Sequence, residues 1–140
     1  MRVVLDTDVV VASVRSRTGA SRVVLTLIER GQLTALASVS LLIEYEAVLK
    51  RPAHLTAANM TLADVDHFID ALASLVEPVT PHFLWRPQLR DPNDEMILAA
   101  AANGHAEAIV TFNIRHFGDI APRFGIAVMQ PGDILRRLRP

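Results

Sequence analysis

The chain contains no cysteine. Disulfide staples and thiolate metal sites are therefore excluded, and any metal must be held by oxygen or imidazole. Lysine is nearly missing as well: among 14 basic residues only Lys50 is a lysine, so lysine chemistry has a single candidate. No apolar run reaches the roughly 18–20 residues that cross a bilayer. The apolar N-terminal stretch is broken by Asp6 and Asp8, which makes it a poor signal peptide and a good first strand. A strong positive field is also lacking. The formal net charge is −1, which argues against gripping nucleic acid by bulk charge but not against a nuclease whose bound cations act locally. A cytoplasmic protein with no membrane segment fits these absences.

What is present reads as one globular domain, 1–140. Hydrophobic residues make up 51% and charged residues 21% of the 140, enough for a sizeable core. There are no repeats, linkers or low-complexity tracts. Arg2–Leu5 reads as a strand buried on both faces, which residues 9–13 then leave. Residues 18–21 form a turn into a helix with Val23, Val24, Leu27 and Ile28 in helical spacing, stopped at Gly31. A strand is expected over 33–37. Ser40 is a candidate cap for a helix over 41–50, ended by Arg51-Pro52. Thr61 and Asp64 form a capping-box pattern for a helix reaching about Leu75. Val65, Phe68, Ile69 and Leu72 give that helix a face expected to turn inward. A short strand over 77–80 and a loop over 81–90 follow. Pro92 opens a helix to Asn103-Gly104, strands are expected over 108–111 and 126–129, and Pro131–Leu138 closes the chain as a helix.

Strands alternating with helices imply a parallel sheet with helices on its faces, in which ligands bind at the carboxyl ends of the strands. Asp6 stands at one such end, and Thr111-Phe112-Asn113 at another. Glu44, in LLIEYEAVL, and Asp94, in RDPNDEMILAAA, sit on helices that can face the same edge. Three carboxylates gathered there repel one another unless a cation neutralises them. Hard oxygen donors of this kind suit Mg²⁺ or Mn²⁺, and such a site can activate water against phosphorus. Each acid also has an ordinary reading. Asp6 or Asp8 can cap the following loop as an Asx-turn, the reading favoured for Asp8. Glu44 can be a solvated helix residue like Glu46. Asp91, Pro92 and Asp94 fit N-cap, N1 and N3 of one helix. That role is accepted for Asp91, and for Asp94 it can coexist with metal ligation.

Four stretches, LDTDVVVASV, SLLIEYEAVLKRP, DPNDEMILAAAANGHAEAIVTFNIRHF and VMQPGDILRRL, occur here in an order that resembles the PIN-domain proteins, specifically VapC-like toxins of bacterial toxin–antitoxin pairs. The resemblance implies a three-layer α/β/α sandwich with a central parallel sheet. It implies a metal-dependent ribonuclease, inhibited by an antitoxin protein, that leaves 5′-phosphate and 3′-hydroxyl ends and commonly dimerises. The family's acids fall on Asp6, Glu44 and Asp94. A fourth acid is missing: Asn113 and His116 stand where relatives carry aspartate. His116 can serve a softer ion such as Mn²⁺ or be a plain loop histidine, and Asp119 can reach in from the loop. Thr7, Ser38 or Asn113 can orient ligands. Arg15 and Arg17 can touch RNA phosphates or form a solvated loop, the latter favoured.

Two rivals stand beside this reading. Asp6 and Asp8 have the Asp-x-Asp spacing of haloacid-dehalogenase-like phosphatases, a nucleophile and a general acid. That family needs a lysine near the phosphoryl group, and Lys50 is poorly placed for it. The other rival is a catalytically inactive PIN fold that binds RNA or protein.

Overall fold

A computed structural model describes residues 1–82 and 88–138. Part of the loop expected over 81–90 lies outside the described residues. Strand β1 (Arg2–Leu5) is the centre of the molecule. Val3 and Val4 are fully buried and Leu5 nearly so, as a strand covered on both faces requires. Each such side chain contributes roughly 1.5–3 kcal/mol of transfer free energy. Strands β2 (Thr34–Ala37), β3 (Glu77–Pro78), β4 (Ala108–Val110) and β5 (Ala127–Met129) complete the sheet in the order β3-β2-β1-β4-β5. All four pairings are parallel, with Val3 opposite both Ala35 and Ala108, and Leu5 opposite Val110. The expected α/β class with helices flanking a parallel sheet is what the chain forms.

That strand order has a consequence for function. The chain winds from β1 outward to β2 and β3, then returns to the other side of β1 for β4 and β5. The winding reverses between β1 and β4, so the loops leaving these two strands part and open a crevice.

Helix α1 (Thr7–Arg15) follows β1 without a connecting loop, where the sequence suggested only an exit from the strand. The run of valines hid it, because β-branched residues favour strands when read locally. The start signal is Asp6, whose carboxylate accepts from the Thr7 N–H at 2.7 Å. Helix α2 (Ala20–Glu29) follows the turn at Gly19, as expected. Helix α3 (Val39–Leu49) is capped by Ser38, not Ser40: the Ser38 hydroxyl accepts from Leu41 N at 3.1 Å. Pro52, expected only to end a helix, occupies the first turn of another, α4 (Pro52–Ala58), where its missing N–H costs nothing. Helix α5 (Leu62–Leu75) starts at the Thr61/Asp64 capping box, with both reciprocal bonds formed at 2.9 and 3.1 Å. Its Val65, Ile69 and Leu72 are buried and Phe68 is partly so. Helix α6 (Pro92–Asn103) starts at Asp91, and α7 (Ile114–Phe117) is a single turn after β4. Helix α8 (Pro131–Leu138) ends the described chain.

Helix α6 packs on β1, β2 and β4, burying Ile97, Leu98, Ala100 and Ala101. Where it ends, a Cβ on Gly104 would meet the Ala100 carbonyl and Val79 at 2.9 Å, so only glycine admits this approach. No helix among the described residues is long and apolar enough to cross a membrane.

Candidate active site

The crevice between the ends of β1 and β4 collects the acidic residues. Asp6 extends the β1–β4 ladder, its N–H donating to the Val110 carbonyl at 2.8 Å. Its carboxylate is buried, accepting from Thr7 N on one oxygen and from the Thr111 hydroxyl on the other, each at 2.7 Å. The Thr111 oxygen in turn accepts from Asn113 N at 2.9 Å. Burial pushes the Asp6 pKa above its ordinary value, and the bonds from Thr111 and Thr7 oppose that shift.

Asp8 does not cap its own loop, contrary to the favoured sequence reading. It reaches across the crevice, where one oxygen accepts from Phe112 N at 3.1 Å and from the Asn113 side chain at 3.0 Å. Local sequence could not show this, because the partners lie at the end of another strand. Burial, and after it the charge of Asp6, pushes the Asp8 pKa up to about 6. The other Asp8 oxygen and the Thr7 hydroxyl are buried with no hydrogen-bond partner among the described residues.

Glu44 arrives on α3, whose placement is fixed by its neighbour. The fully buried Tyr45 donates its hydroxyl to the carbonyl of Leu5, the last residue of β1. Asp94 lies in the first turn of α6 behind the Asp91 cap, where Asp91 accepts from Asn93 N at 2.8 Å. The Asp94 carboxylate is 3.1 Å from Nδ1 of His116, and its side chain is only 13% exposed. Burial raises its pKa; His116 opposes the shift, whereas Asp91 and Asp6 reinforce it. The next acid, Glu95, is spent differently, accepting from Gln88 N and Leu89 N at 3.0 and 2.9 Å.

These groups line one open cleft of about 620 Å³. Asp6, Asp8, Glu44, Asp91 and Asp94 share it with Thr7, Asn113 and His116, and Arg15, Arg51 and His54 stand at its walls. All three acids singled out in the sequence are therefore brought together, from β1, α3 and α6.

The PIN domain family model matches residues 2–115. The chain belongs to the PIN domain family. The matched span includes Asp6, Glu44, Asp94 and Asn113, and PIN domains are a superfamily of nucleases, which supports a ribonuclease-type role. No curated protein matches the chain significantly.

Several sequence expectations change in this PIN domain. Arg15 lines the cleft, but Arg17 does not; it faces a neighbouring groove. Neither Ser38 nor Asp119 lines the cleft. Asp91 does, in addition to its capping role. Arg51 and His54 were missed, because Arg51-Pro52 reads as a terminator and gives no sign that a new helix starts beside the acids. The phosphatase-like reading of Asp6 and Asp8 fails on geometry. Lys50 is held by Glu46 at 2.8 Å and Asp66 at 2.6 Å and lies outside the cleft. Asp8 is committed to the loop after β4.

The donor set fits a hard divalent cation. Carboxylates dominate it, no thiol is present, and two buried oxygens in the cleft wall lack partners among the described residues. The charge of Asp6 raises the proton affinity of Asp94, and that of Asp91 raises both, so a cation placed among these carboxylates relieves them. Among the described residues no group of three or more Asp, Glu and His side chains is arranged to hold an ion by itself. Mg²⁺ commonly takes one or two carboxylates and completes its shell with water and substrate phosphate.

Proposed function

We propose that this PIN domain is a divalent-metal-dependent endoribonuclease, the cytoplasmic toxin of a toxin–antitoxin pair. The observation that carries the reading is the convergence of Asp6, Glu44 and Asp94, remote in sequence, on one cleft at the switch point of a PIN fold.

Asp6, Glu44 and Asp94 would hold Mg²⁺ or Mn²⁺, directly or through water. When bound, the cation supplies Lewis-acid charge at the scissile phosphate and lowers the pKa of water so that it can attack. The residues of the chain set up that chemistry. Thr111 and Thr7 N fix both oxygens of Asp6 and so fix the lone pairs left for ligation. His116 orients the Asp94 carboxylate from its solvent side. Asn113 and Phe112 N hold Asp8 against the β4 loop, tying the two walls of the crevice together. Arg15 at the rim is suited to a phosphate oxygen of the incoming strand.

The toxin role rests on the ordered VapC-like motifs. It carries two further expectations, a homodimer and a cognate antitoxin that places a basic side chain among the carboxylates. The test compares wild type with Asp94→Asn on mixed single-stranded RNA across Mg²⁺ and Mn²⁺, and in parallel on growth of a bacterial host after induction. Wild type should cut RNA and arrest growth, and the variant should do neither. Equal cutting by both would reduce Asp94 to a helix cap. RNA binding by the wild type with no cleavage in either metal would mark an inactive binding module.

A further inference from the structure

Beside the acidic cleft runs a second groove of about 520 Å³, and Ser16 lines both. Ser16 ends α1, and its hydroxyl accepts from Gly19 N at 3.0 Å, which fixes the turn between α1 and α2 as a ridge separating the two depressions. Arg15 faces the cleft from this ridge and Arg17 faces the groove. Arg22 of α2 joins Arg17, while Val14, Met60 and Phe68 supply apolar surface. Met60 and Phe68 are half-buried, anchored on the core with part of each side chain exposed.

The two depressions have opposite character. Among the described residues, five carboxylates line the cleft and none lines the groove. Neither groove arginine pairs with a carboxylate among the described residues. A chain of net charge −1 has no general attraction for a polyanion, and the carboxylates repel the phosphate they must act on. Affinity for a strand must then come from contacts flanking the cleft. Two free guanidinium groups beside an aromatic face and a thioether are the elements that bind single-stranded nucleic acid, phosphate on arginine and base on the flat apolar surface. The volume lies in the range of small-ligand pockets.

We propose that this groove is a flanking-nucleotide subsite. It takes an unpaired nucleotide of the RNA substrate adjacent to the scissile phosphate, with Arg17 and Arg22 on its phosphates and Met60 and Phe68 under its base. The proposal rests on the nuclease reading of the neighbouring cleft.

The test uses the full chain and a fluorescein-labelled single-stranded RNA dodecamer of randomised sequence. Binding is followed by anisotropy in chelator, so that no cleavage intervenes, and cleavage is followed separately with Mn²⁺. The double variant Arg17→Ala/Arg22→Ala should bind about tenfold more weakly and lower the salt-dependence slope by about 1.4, from two single-strand phosphate contacts. Phe68→Leu, which keeps apolar volume, should weaken binding about fivefold through lost stacking with the slope unchanged. The double variant Arg30→Ala/Arg123→Ala, a charge-matched change outside both depressions, should bind as wild type. Cleavage of the dodecamer should fall with binding, whereas cleavage of an RNA trimer, too short to fill both depressions, should not. Binding of the groove double variant equal to that of Arg30→Ala/Arg123→Ala, or no RNA binding by the wild type, overturns the subsite. If the binding losses appear but no metal supports cleavage, the subsite stands and the nuclease reading fails. If cleavage is normal and the groove variants bind and cut as wild type, the reverse holds.

Discussion

The two edges of the sheet treat charge in opposite ways. At the edge where the strands begin, Arg2 is matched on every side. Its guanidinium bridges Glu77 at 3.0 and 2.5 Å and donates to the Gly104 carbonyl at 2.8 Å, while its backbone N–H meets Glu107 at 2.7 Å. Glu77 is held below its ordinary pKa by that bond. At the edge where the strands end, Asp6, Asp8 and Asp94 are all held above their ordinary value, chiefly by burial. Their hydrogen bonds fix geometry without neutralising charge; among the described residues only His116 pairs directly with one of them, at Asp94, while Arg15, Arg51 and His54 stand off at the cleft walls. Charge that is paired holds a fold together. Charge that is buried, oriented and left in excess costs stability, and its retention points to a ligand that removes the cost.

The sharpest way to break this contrast is to remove a carboxylate at the strand-end edge. Asp6→Asn keeps the acceptor for Thr7 N but removes a ligand charge, so cleavage should fall by about a thousandfold, the rate equivalent of several kcal/mol of electrostatic stabilisation. Cleavage within a few fold of wild type would sink the ligand role of Asp6. Second in size is His116→Ala. It frees Asp94 to rotate, and the Mn²⁺ concentration for half-maximal cleavage should rise by about 10–100-fold. A fall in maximal rate at unchanged metal dependence would instead make His116 a direct participant.

Asp8→Asn tests the charge excess itself. A carboxyl with a raised folded-state pKa binds protons better in the folded than in the unfolded chain. The stability it lends is fully present below its unfolded value of 3.8 and is lost as pH rises through about 6. Asparagine can still accept from Phe112 N and carries no charge. In chelator the variant should match wild type near pH 4 and melt about 3 °C higher above pH 7, roughly what 1 kcal/mol gives in a domain of this length. Thermal melts across that range decide it; a variant less stable than wild type at neutral pH would show that Asp8 is paired, not in excess. Smallest of all is Arg2→Ala at the opposite edge. Loss of an exposed ion pair should lower Tm by a few degrees at most and leave cleavage unchanged. A large loss of activity there would dissolve the distinction between the edges.

How far local signals reached is clearest at particular residues. Thr61 and Asp64 set the start of α5, and Asp91-Pro92 set the start of α6, because caps act within one turn and need no distant partner. Helix α1 was not legible: its valines resemble a continuing strand, and the cap Asp6 lies inside an apolar run. Helix α4 was hidden by a proline that usually marks an end. Asp8 was misread for a different reason. Its partners, Phe112 and Asn113, meet it only because β1 and β4 lie side by side. Arg15 and Arg17, grouped together in the sequence reading, part company, because two positions along the ridge change the depression a side chain faces.

The sequence by itself determined much of the buried core, where α2, α5, α6 and α8 start, and that acids stand at strand ends, because burial, periodicity and caps are encoded within a few residues. The tertiary structure decided the strand order, and with it the switch point between β1 and β4. It also decided which acids share the cleft and which arginine faces the basic groove beside it. Those relations depend on which distant segments come to lie next to one another, and that is settled by packing of the whole core, not by any window of the chain.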